Sequence, residues 1–195
     1  MKKQMKENFK KRPLSWSQIN NFKYNKEKWY EKYVLGIEEK TNTPEQEFGK
    51  IFAKSCEDRK PIAPVTLYSE VEYPIEATIF DIPMVGYIDT YEPMKAFIDH
   101  KTGVKEWTYK RVREHGQLKM YALMLFLMFK VKPENLKIAL EWVETKKEND
   151  VISFVEPVQV KHFDVDITMR DIMDFGLEIK DIVEDMDKYI KKHEW

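Results

Sequence analysis

Ten consecutive apolar side chains, MYALMLFLMF from Met120 to Phe129, constrain this chain more than any other feature. A membrane-spanning helix needs about 20 such residues. A three-turn helix that is apolar on every side must instead be wrapped by protein. The rest of the chain therefore has to supply a layer for each of its faces. With 195 residues, 43% of them hydrophobic, it can do so. A chain of this length buries roughly 70% of its unfolded surface.

The flanking texture shows what the cover is made of. Residues 1–13, MKKQMKENFKKRP, read as a flexible basic arm with Lys2, Lys3, Lys6, Lys10, Lys11 and Arg12. No apolar run follows it, so it does not read as a signal peptide. Gripping phosphate and solubilising the chain are both open to it. Residues 14–195 read as one domain. Ser15 or Ser17 opens a helical pattern that runs to about Leu35, with Gly36 as its stop. Thr43-Pro44 is a cap followed by proline at the first helical position, and predicts a helix to about Arg59. Val65–Phe80, Met84–Tyr91 and Lys95–Lys101 read as an antiparallel meander. A helix over about 108–130 follows, then strands over 136–144 and 151–163. An amphipathic helix over 168–193 places Ile172, Phe175, Ile179, Ile182, Met186 and Tyr189 on one face. The expected fold is α+β in three layers, with one mixed sheet between helices.

Composition narrows the chemistry. There are 33 basic and 34 acidic side chains, so bulk charge does not drive nucleic-acid binding and a local patch is required. A single cysteine, Cys56, excludes an internal disulfide and a four-cysteine zinc or iron–sulfur site, and fits a reducing intracellular compartment. Neither phosphate-loop nor dinucleotide glycine motifs occur, and HExxH, CxxC and GxSxG are missing. Carboxylates, amides and lysines are left to do the chemistry.

The strand KAFIDHKTG carries the best candidates. Alternation places Asp99 and Lys101 on one face, about 7 Å apart along the strand. A carboxylate that holds a divalent cation and an amine that positions water and offsets charge suit phosphodiester hydrolysis. Asp-x-Lys alone is a weak signal, because Asp58-Arg59-Lys60 has the same form. Context separates Asp99: it ends a hydrophobic strand before a Thr102-Gly103 turn. Pairing through Glu92-Pro93-Met94 brings Asp89 beside it, and a bound cation would relieve the repulsion. Gln117 and Tyr121, four residues apart, share a face of the apolar helix. Glu57 is a further acidic candidate on the second helix.

Together, GYID, IDHKTG and QLKMY resemble the PD-(D/E)xK nuclease superfamily, in particular its RecB-like exonuclease branch. LSWSQINNFKYNKEKWYEKYVLG and EFGKIFAKSCED are similar to that branch's first helix and its glycine-led helix. The resemblance spans about Leu14–Leu127. It implies a restriction-endonuclease-like core and a DNA-hydrolysing activity that uses Mg²⁺ or Mn²⁺. It implies that Asp89, Asp99, Glu57 and the main-chain carbonyl of His100 hold the metal, that Lys101 orients and activates the water, and that Gln117 and Tyr121 maintain the site. Ala53 stands where many relatives have a histidine ligand, and Ile88 stands where others have proline. With Cys56 alone, the iron–sulfur subtype is excluded. The resemblance is to a stand-alone, phage-type exonuclease. A nicking or structure-specific endonuclease and a non-catalytic DNA-end binder are the alternatives.

The segment between the Asp99 strand and the Gln117 helix holds Lys105, Lys110, Arg111 and Arg113, placed to contact the DNA backbone. Trp107 and Tyr109 beside them are candidates to stack on an unpaired base or to pack at the rim. The seam of the last helix suits a homo-oligomer or a protein partner. Packing against its own domain is the other use.

Overall fold

A computed structural model describes residues 12–37 and 42–193. The arm's lysines at 2, 3, 6, 10 and 11 lie outside them. The elements are α1 (Trp16–Tyr24), α2 (Lys26–Trp29), continued by a π-helical turn (Tyr30–Val34), α3 (Pro44–Glu57), β1 (Glu70–Ile79), β2 (Ile82–Glu92), β3 (Ala96–Gly103), α4 (Tyr109–Arg113), α5 (Gly116–Phe129), a 3-10 turn (Pro133–Asn135), β4 (Lys137–Glu148), β5 (Val151–Phe154), β6 (Val160–Asp164) and α6 (Met169–Lys192).

β1, β2 and β3 form the expected meander. α5 then crosses over, and β4 returns parallel to β3, which makes the six-stranded sheet mixed. β5 and β6 both pair antiparallel with β4. The apolar run lies in α5, where Leu118 and every residue from Met120 to Leu125 is buried. α5 packs on β1, α6 and α1. Alternation along β4 assigns the two faces of the sheet. Ile138, Leu140 and Trp142 join the core under α5, whereas Val143 joins Phe52, Cys56, Ala63 and Val65 under α3. The architecture is α+β, with helices on both faces of the sheet.

Caps explain where the helices start. Ser15 accepts from the backbone N–H of Gln18. Thr43 forms a reciprocal box with Gln46, and Thr168 forms one with Asp171.

Four predicted segments divide differently. The first helix breaks at Asn25, whose extended backbone ends α1 while its side chain caps α2. β1 begins at Glu70 rather than Val65, because the preceding segment packs Ala63 and Val65 under α3 without joining the ladder. The 108–130 helix is two helices with Glu114-His115 between them. The last predicted strand is two strands separated by a bend around Pro157, which has no N–H to give a ladder. The seam of α6 is used internally: Ile172, Phe175, Ile179, Met186 and Ile190 are buried in the main core. Among the described residues no helix is long and apolar enough to cross a membrane.

Candidate active site

The site forms where β2 and β3 part. Their ladder pairs Glu92 with Ala96, Tyr91 with Phe97 and Thr90 with Ile98, and goes no further. At the next position the Asp89 carboxylate takes the place of a backbone acceptor: Asp89 Oδ2 accepts from the His100 N–H at 2.6 Å. The β1–β2 ladder is also interrupted here, since Val71 pairs with Thr90 and Tyr73 with Ile88, with no pairing between Glu72 and Asp89. Ile88 and Tyr91 both reach the α5-side core, so the alternation of β2 slips across Asp89. That slip puts the carboxylate at the boundary between the two faces instead of firmly on one of them.

β3 supplies the other partners. Asp99 is fully buried. Lys101 Nζ lies 2.9 Å from its Oδ2 and donates to its Oδ1 at 3.1 Å. Lys101 also donates to Gln117 Oε1 at 3.0 Å. Gln117 Nε2 in turn donates to the Tyr121 hydroxyl at 2.8 Å, and that hydroxyl donates to the Tyr87 carbonyl at 2.6 Å. Spacing of i and i+4 on α5 makes this chain of bonds possible. Tyr121 can approach β2 because residue 86 is glycine: a Cβ there would lie 2.7 Å from the Tyr121 ring.

Electrostatics match the geometry. Burial, and then the neighbouring Asp99 charge, push the Asp89 carboxyl up to about 7. For Lys101, burial works against the charge, but Asp99 and Asp89 outweigh it and hold the amine above its ordinary range. Lys101 is therefore an ammonium at neutral pH. Despite that neighbour, Asp99 Oδ2 has no well-directed hydrogen bond. A buried, under-coordinated carboxylate oxygen beside a second carboxylate is what a divalent cation fits. Among the described residues no three His, Cys, Asp or Glu side chains converge into a ready cage. Mg²⁺ does not need one, since it is usually held by one or two carboxylates and keeps several waters.

The acidic helix residue is placed differently from the expectation. Glu57 is half exposed, bonds Lys54 at 3.0 Å and lies outside the lining of the cleft. The last turn of α3 points it into water. A carboxylate of the cleft outside the expected set is Glu72, which lines the hollow of about 330 Å³ together with Asp89, His100, Lys101, Ala53 and Glu45. Burial raises its pKa. Its backbone is left-handed, with φ +48°. Glu72 falls within the strand expected over Val65–Phe80, where the sequence singles out no site residue.

Other neighbours were also not singled out by sequence. His115, in the break between α4 and α5, has Nε2 3.9 Å from Asp99 Oδ2. Burial pulls its pKa down to about 4, so it is neutral. Glu141 on β4 accepts from the Thr66 N–H at 2.8 Å and lies 3.3 Å from His100 Nδ1, which has no directed hydrogen bond.

The candidate DNA contacts separate into groups. Trp107 is buried with the Arg111 guanidinium 3.8 Å above its ring, and both line a hollow that adjoins Lys101. Lys110 and Arg113 line a different hollow with Asp166 and Asp171, beside the start of α6. Lys105 and Tyr109 are exposed.

No protein-family model matches the chain, and no curated protein matches it. The chain is similar to a solved structure from Eubacterium rectale named "Putative exonuclease", with a TM-score of 0.63 and 10% identity. The match covers 95% of this chain and 84% of that one. At that identity the likeness establishes a shared fold.

Proposed function

We propose that the protein is a metal-dependent DNA nuclease, acting as an exonuclease, of the PD-(D/E)xK type and its RecB-like branch. The observation that carries this reading is the chain of contacts from Asp99 through Lys101 to Gln117 and Tyr121, with Asp89 bound to the His100 N–H beside it, built where two strands part. The fold shared with the Eubacterium rectale protein agrees with it.

Asp89 and Asp99, with Glu72 at the edge of the cleft and the His100 carbonyl, would hold Mg²⁺ or Mn²⁺. Such an ion, when bound, supplies a nucleophilic hydroxide at neutral pH and neutralises phosphate charge. The chain's own groups do the positioning. The Lys101 ammonium donates to the attacking water or to a non-bridging phosphate oxygen, and so offsets the charge that builds during displacement. It is protonated, and therefore acts as a donor and not as the base. Gln117 holds the amine in place, and Tyr121 holds Gln117. Burial of Asp99 keeps the local dielectric low, which strengthens each of these interactions.

The test is cleavage of end-labelled linear DNA beside closed circular DNA, with Mg²⁺, Mn²⁺ or EDTA. The expected result is metal-dependent loss of linear DNA alone, abolished in a folded Asp99→Ala variant. Cutting of the circle would replace exonuclease with endonuclease. Wild-type cleavage rates in Asp99→Ala would remove the site assignment.

A further inference from the structure

A second hollow is larger than the carboxylate cleft. It measures about 570 Å³ and lies between α1 and the α4–α5 break. The two hollows share Lys101 and no other lining residue. The Lys101 side chain therefore stands between the cleft and this hollow.

The hollow's lining sets the rings of Trp16, Trp107 and His115 among polar and charged side chains, Arg111 and Glu114 included. The His115 ring stands edge-on to Trp16 at 5.8 Å and to Trp107 at 4.9 Å. The Arg111 guanidinium covers Trp107. Asn20 and Gln117 bring side-chain amides to the lining. The Trp16 indole packs on Gly116: a Cβ there would lie 2.2 Å from the indole Cη2. The glycine that opens α5 is therefore what allows Trp16 its present position. Flat aromatic walls suit the π-face of a base, amides suit its edge, and cations suit a phosphate. The volume is that of a small-molecule pocket, with room for one unpaired nucleotide and not for a base-paired stack.

We propose that this hollow seats the terminal unpaired nucleotide of a DNA strand, its base against Trp16 and His115 and its phosphate at Lys101. The proposal rests on the nuclease reading and sharpens it: the substrate is a single-stranded or frayed end. Stacking of this kind tolerates any base, so it selects for an end without selecting a sequence.

Binding in EDTA tests it without cleavage. Fluorescence anisotropy would compare labelled DNA hairpins with flush ends and with 5′ or 3′ overhangs of one, two and four nucleotides. The expected result, for one polarity, is a gain of roughly tenfold at the first unpaired nucleotide, the scale of one base stack, and little beyond it. Trp16→Ala should bring the overhang-to-flush ratio close to one. Gly116→Ala keeps the indole but pushes it from its seat, and should do the same; a melting curve checks that each variant is folded. Equal wild-type affinity for flush and overhanging ends would overturn the proposal. So would affinity that climbs with every added nucleotide, or a step that survives in both folded variants. If the step is missing while wild-type protein still degrades linear DNA with Mg²⁺, the pocket assignment alone falls. If wild-type protein neither binds nor cleaves DNA, the nuclease reading falls with it.

Discussion

Glu72 is a non-glycine residue in the left-handed region, directly across the β1–β2 ladder from Asp89. Such a backbone costs on the order of 1 kcal/mol or more and persists where its surroundings impose it. Here it accompanies a side chain that lines the cleft, opposite Glu45, Gly49, Phe52, Ala53 and Cys56 of α3. Glu72→Gln should weaken Mn²⁺ binding, followed by isothermal titration, by roughly tenfold, the scale of losing one supporting carboxylate. Glu57→Gln should leave binding within about twofold, because Glu57 points into water and bonds Lys54. Equal losses in the two variants would restore Glu57 as the helix ligand. Asp89, Asp99, Lys101, Gln117 and Tyr121 were legible as a set because each sits in a short motif on a regular element. Glu72 and His115 were not, because a strand kink and a helix break position them, and neither follows from periodicity.

At the level of elements, packing rather than propensity sets the details. α5 was legible from its uninterrupted apolar run, and α3 and α6 from their caps. The division at Glu114-His115 was not, since nothing in KRVREHGQ forbids a continuous helix. What requires the break is tertiary: Trp16 occupies the space beside Gly116, and Trp107 packs on His115. A similar contact explains the glycine of GYID. In Gly86→Ala the new methyl would press on the Tyr121 ring at 2.7 Å. The expected cost is about 1–3 kcal/mol in urea unfolding. A larger proportional loss of activity should accompany it, because Tyr121 anchors Gln117 and through it Lys101. A variant of unchanged stability and activity would show that the ring simply moves aside.

For the whole molecule, the site is a place where the fold carries unrelieved charge. Asp89 holds its proton to about pH 7 in the folded state, against about 3.9 when unfolded. The native state therefore binds more protons than the unfolded state between these values, and stability contributed by this group falls as pH rises from about 4 to 7. A cation at the two carboxylates would cancel the penalty and stabilise the fold by mass action. The most direct test of this account is thermal melting at pH 8, in EDTA and in millimolar Mn²⁺, for the wild-type protein and Asp89→Asn. The amide can still accept from the His100 N–H, so the variant removes charge while keeping shape. The account predicts a rise of about 5–10 °C with Mn²⁺ for the wild type, as expected for a ligand near a hundred times its dissociation constant. It predicts that Asp89→Asn melts above the wild type in EDTA and gains little from the metal. A wild-type protein indifferent to Mn²⁺, or a variant that gains as much as the wild type, would contradict it.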